Sequence, residues 1–118
     1  MTVEADIYTA LKSLVGNRVY PDIAPINAAR PYITYSQIGG AVVTFLEKAV
    51  ASKKNGRFQF DVWADTRASC ASVALQVEAA LMTSALFEAE PIGAQESAYD
   101  YDMALYRSMQ DFSVWSSR

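Results

Sequence analysis

Near the start of the chain, Ile7, Leu11, Leu14 and Val15 recur at three- and four-residue spacing, while Glu4, Asp6, Lys12 and Ser13 fill the other side. That period predicts an amphipathic helix. Thr2 is a fitting cap, Glu4 and Asp6 favour the positive end of the helix dipole, and Gly16-Asn17 supplies a stop, so the helix is expected to end near Val15. Arg18 to Tyr20 then reads as a short strand closed by Pro21, and the stretch to Ala29 reads as loop. Tyr32 to Ile38 is dense in β-branched and aromatic residues and closes at Gly39-Gly40, which predicts a second strand.

Residues 41 to 56 do not resolve into one pattern. Val42 to Phe45 suits a strand, Leu46 to Ser52 suits a helical turn equally well, and Asn55-Gly56 is the dipeptide of a tight hairpin. Alternation then becomes clean: Phe58, Phe60, Val62 and Ala64 share one parity, and Arg57, Gln59, Asp61 and Trp63 the other. A strand with one buried face follows. Asp65 or Thr66 is expected to cap a second helix reaching about Met82, whose stripe of Cys70, Val73, Ala74, Val77 and Leu81 should pack on the Phe58-Phe60-Val62 face. Its alanines favour helix and allow close approach to a sheet.

A strand is expected from Leu86 to Ile92, a polar loop from Gly93 to Asp102, and a last strand from Leu105 to Trp115. Tyr106, Phe112 and Val114 hold one parity of that strand, and Leu105, Met109 and Trp115 the other. It should therefore lie centrally, buried on both faces or bulged. The element order has no regular β-α-β alternation, repeat or long linker, and it predicts an α+β fold: one domain over residues 1–118, a mostly antiparallel sheet, and two helices on one face.

Composition narrows the chemistry. The chain has 118 residues, of which 52% are hydrophobic and 12% aromatic, enough to offset the entropy of ordering one core. With no histidine, a serine triad or cysteine-histidine pair is impossible and the commonest zinc sites are out of reach; the single cysteine, Cys70, excludes an intramolecular disulfide and sits on an apolar stripe. Gly39-Gly40 lacks the further glycines and lysine of a phosphate loop. Asp100 and Asp102 with Glu96 form the nearest carboxylate group, but without the ordered ligand series of a calcium loop they read as solvated. No catalytic residue, cofactor or metal is expected.

A net charge of -3 works against a surface that holds nucleic acid by counterion release. The one basic run, Lys53 to Arg57, reads as a solvated turn. Tyr32, Tyr35, Trp63 and Arg107 could in principle form a base-stacking sheet, which keeps a small ligand- or RNA-binding domain as the alternative reading. No window approaches the roughly 18 apolar residues of a membrane span, and the first residues are acidic where a signal peptide is basic. A cytoplasmic protein without a membrane partner is expected. The surface that stands out is Val42, Val43, Phe45 and Leu46, an apolar cluster between Gly39-Gly40 and Lys53-Lys54, which is either core or a partner interface.

Four segments carry a resemblance: RVYP at Arg18 to Pro21, PYITY at Pro31 to Tyr35, RFQFDVWA at Arg57 to Ala64, and DFSVW at Asp111 to Trp115. In this order, with a helix before the first and an alanine-rich helix after the third, the chain resembles the tail-completion, or tail-to-head joining, proteins of long-tailed bacteriophages and prophages, which are similar in fold to tail terminators. The resemblance implies a structural protein that closes with itself into a ring, usually a hexamer, on the major tail tube protein. Such a ring stops tail polymerisation and offers a surface to the head connector or stopper, with DNA only passing through its lumen. It also implies assembly in the host cytoplasm and a final place at the tail-head junction. The segment 41–51 is more apolar than that pattern leads one to expect.

Overall fold

A computed structural model describes residues 2–42 and 52–117. Helix α1 (Val3–Leu11) starts where Thr2 Oγ1 accepts from the Ala5 amide at 3.1 Å, and it continues as a 3-10 turn over Lys12–Leu14. Gly16 and Asn17, both at positive φ, end it as the sequence predicts. Strands β1 (Val19–Pro21), β2 (Tyr32–Gln37) and β3 (Lys53–Ala64) follow, then helix α2 (Arg67–Thr83), and finally β4 (Glu88–Pro91), β5 (Glu96–Asp100) and β6 (Leu105–Ser117). Thr66 is the cap of α2, its hydroxyl accepting from the Ser69 amide.

The strands form one sheet in the order β1-β2-β3-β6-β4, with β5 also paired to β6. Among the described residues only β1 and β2 run parallel, and every other pair is antiparallel. The expected α+β class, with a mostly antiparallel sheet, is what forms. Because β3 and β4 both oppose β6, the β3-α2-β4 crossover joins two parallel strands with β6 inserted between them.

The core lies between the sheet and the helices. Phe58, Phe60, Val62 and Ala64 of β3 meet Phe112 and Val114 of β6, Ile33 and Tyr35 of β2, and the stripe Cys70, Val73, Ala74, Val77 and Leu81 of α2, with Ile7 and Leu11 of α1 completing it. The alternation on β3 and the periodicity on α2 thus predict the same interface from both sides. Strand β6 is central, as expected, and its twelve-pair register with β3 is unbroken. Ser108, Gln110, Phe112 and Val114 face the core, whereas Met109 and Trp115 on the other face are half-buried.

Two expectations are corrected. Asn55-Gly56 is not a turn: both residues lie inside β3, opposite Trp115 and Val114. The Phe58 ring occupies the space where a Gly56 side chain would stand, a Cβ there coming within 2.6 Å of it. Asn55 accepts from the Ala41 amide and donates to Ser113 Oγ, both at 2.8 Å, and so ties two neighbouring segments to the strand. The basic run Lys53 to Arg57, expected as a solvated turn, is therefore strand throughout. Residues 43–51 of the ambiguous segment lie outside the described residues.

The second correction concerns Gly93 to Asp102, which contains β5. Pro91 pairs with Phe112 and Glu96 with Met109, so four residues of the outer chain face two of β6. Strands β4 and β5 are one edge strand interrupted by a bulge at Ile92–Gln95. Gln110 holds the bulge by donating to Gly93 O at 2.9 Å and to Glu78 Oε2 at 2.8 Å. Its residues are polar because an edge strand is half-solvated, which is why its composition reads as loop.

Candidate functional site

With both helices on one side, the opposite face of the sheet has no helix over it among the described residues. Parity puts Arg57, Gln59, Asp61 and Trp63 of β3 on that face, beside Arg107 and Asp111 of β6 and Tyr32 and Thr34 of β2. Charges alternate along it and are joined diagonally: Arg57 binds Asp111 at 2.8 Å, and Arg107 binds Asp61 at 2.9 Å. Gln59 Nε2 also donates to Asp61 at 3.1 Å, and Trp63 Nε1 donates to Thr34 Oγ1 at 3.0 Å.

At one end this face is hollow. A second, smaller apolar cluster of Tyr32, Trp63 and Leu105 makes a floor, with the Tyr32 and Trp63 rings stacked at 6.1 Å and the Arg107 guanidinium 4.8 Å over Trp63. The β1-β2 connection folds over it. Asp22 donates its amide to Tyr35 O at 2.7 Å, Ala28 donates to Pro25 O at 3.1 Å, and Ala24 and Ala28 pack inward on the floor. The β5-β6 turn, shaped by the Met103 amide donating to Asp100 Oδ1, forms the facing wall. Between them lies a trench of about 560 Å³.

The rim of this trench is apolar and acidic. Ile23 and Ile26 are 82% and 92% exposed, and Met103 is half-exposed beside them. Asp22 and Asp102 also line it and make no ion pair among the described residues, whereas its two arginines are already engaged, Arg30 with Asp65 at 2.8 Å and Arg107 with Asp61. The trench therefore offers aliphatic surface and unspent negative charge together. At the other end of the sheet, Val42 is 82% exposed and Lys53 and Lys54 make no ion pair among the described residues.

The base-stacking arrangement does not form. Tyr35 points into the helix-covered core, Tyr32 and Trp63 are buried, and Arg107 is spent on Asp61, so none of these three rings offers its face to a base. Burial pushes the Tyr32 hydroxyl up from its ordinary pKa. Cys70 is fully buried, its thiol donates to Val62 O at 3.3 Å, and burial pushes its pKa up, away from the thiolate a nucleophile needs. Glu96, Asp100 and Asp102 do not converge; no group of three metal-ligating side chains occurs among the described residues.

Of the sequence-predicted interface, Val42, Lys53 and Lys54 share one end of the sheet, while Val43, Phe45 and Leu46 lie outside the described residues. The trench was not foreseen. Its one signal in the sequence is the pair Ile23 and Ile26, β-branched residues in a Pro- and Asn-containing loop without periodicity, where nothing in the local pattern would bury them.

The model of the tail completion protein gp17 family matches residues 6–117. The chain belongs to this family. It is a structural tail protein, a component of the virion tail. A chain in the virion of a native gene transfer agent particle has a similar fold, with a TM-score of 0.71 at 18% identity over 98% of this chain and 95% of that one. No curated protein sequence matches. No catalytic constellation is needed to account for a tail-completion protein, and the paired charges and capped trench suit a surface that fits other proteins.

Proposed function

We propose that this tail-completion protein, folded as a single domain, closes into a ring, a hexamer in the assembled tail, on the last ring of major tail tube protein. The ring ends polymerisation and gives the head connector or stopper its docking surface. The observation that carries this reading is the presence, on a member of this family, of two unlike patches at opposite ends of the sheet: an acidic, aliphatic trench and a basic, apolar end. A closed ring needs two different surfaces per subunit. The excess of carboxylates would let DNA pass through the lumen without adhering.

In this reading the protein acts in the host cytoplasm during assembly and afterwards at the tail-head junction. Val42, Val43, Phe45, Leu46, Lys53 and Lys54 are the proposed partner interface. Deleting the gene from a phage or prophage that encodes it should yield tails of irregular length without heads, seen by negative-stain microscopy, and adding the purified chain should restore head joining. Normal, headed tails from the deletion would overturn the proposal. Replacing Phe45 and Leu46 by serine should leave a folded chain that no longer completes tails; a variant that completes them normally removes these two residues from the interface.

A further inference from the structure

The two patches have chemistry that fits each other. The trench presents Ile23, Ile26 and Met103 with Asp22 and Asp102, and the far end of β3 presents Val42 with Lys53 and Lys54; among the described residues none of these four charges makes an ion pair. Aliphatic surface meets aliphatic surface, and the two carboxylates meet the strand end flanked by Lys53 on the open face and Lys54 on the helix face, which sets register and suppresses wrong partners. They cannot meet within one molecule. Trp63 in the trench floor and Lys53 belong to the same twelve-residue strand, whose ends are about 36 Å apart at the rise of an extended chain.

Opposite ends of one rigid strand also have a fixed relation. Strand β3 pairs along its whole length with β6, so a subunit that accepts a neighbour in its trench must present its own basic end pointing away from it, toward the next copy. That is head-to-tail association, the heterologous geometry from which rings close.

We infer that the trench bounded by Asp22–Ala28 and the β5-β6 turn receives the Val42, Lys53 and Lys54 end of a second copy of the same chain. The inference rests on the ring reading and says which surfaces make the ring. Charge complementarity favours a second copy over the tube protein or a small ligand: the carboxylates of the trench are matched by this chain's own Lys53 and Lys54, which make no ion pair among the described residues.

A charge swap in the full-length chain tests it. Asp22→Lys with Asp102→Lys, and separately Lys53→Asp with Lys54→Asp, should each weaken self-association by about tenfold or more, read by sedimentation velocity and by subunit retention on purified tail tubes. Combining all four substitutions should restore it. Asp22, Asp102 and Lys53 are exposed and Lys54 is half-buried, so circular dichroism should show unchanged folding. Should a charge variant misfold, cysteine pairing decides instead: a mixture of Ile26→Cys and Lys53→Cys chains should form a disulfide dimer, and the double variant a ladder of covalent oligomers, with buried Cys70 silent. Rings that form normally in the swapped variants, or oligomers without the ladder, would refute the trench contact and leave the ring reading standing. A wild-type chain that stays monomeric both alone and on tubes would refute both.

Discussion

Arg107 sits over the Trp63 ring at 4.8 Å while its guanidinium binds Asp61 at 2.9 Å, so one side chain both covers the trench floor and neutralises the acid beside it. Asp61 is nearly buried, with Gln59 as its other side-chain partner. Arg107→Ala should therefore destabilise the chain by about 2 kcal/mol, because a mostly desolvated carboxylate loses its charged donor and the indole its cover. Urea denaturation checks this, and Arg107→Lys should recover part of the loss.

Phe60 lies at the centre of the core, 5.6 Å from Phe112 in an edge-to-face arrangement. Phe60→Ala should cost about 3–5 kcal/mol, measured by denaturant or thermal unfolding, since the cavity opens between two strands that cannot collapse toward each other. A loss below 1 kcal/mol would contradict the placement of this face against α2.

Gly56 is required by packing rather than by a turn. An added Cβ would meet Phe58 Cε2 at 2.6 Å, and Phe58 is itself enclosed, so Gly56→Ala should cost about 1–3 kcal/mol through overpacking. Were the dipeptide at a hairpin tip, Asn55→Gly would be harmless; in the strand it removes the bonds to Ala41 and Ser113 and should destabilise.

Tyr35 is buried in the core, and burial followed by the Glu4 carboxylate raises its pKa to about 12. The unfolded chain ionises this phenol near pH 10, so the folded state is favoured in full below that value. The advantage is lost as pH rises from about 10 through about 12. Stability measured across that window should fall, and Tyr35→Phe should flatten the fall even though it removes the hydroxyl.

What the sequence by itself determined was local. Threonine caps at Thr2 and Thr66, the stop at Gly16-Asn17, the alternation from Phe58 to Ala64 and the stripe from Cys70 to Leu81 each depend on residues within a few turns or steps of one another, and together they define the core face and the α+β class. Tertiary structure decided the rest. Whether Asn55-Gly56 turns or continues depends on where the Phe58 ring lies and on Ser113, far along the chain. The strand at Glu96–Asp100 exists because β6 offers it an edge, not because its own residues favour extension. The candidate site belongs wholly to this second class: Ile23, Tyr32, Trp63, Met103 and Arg107 come from five separate segments, and only the pairing of β2, β3 and β6 brings them to one trench, since an alternating pattern fixes which residues share a face but not which strand lies next to it.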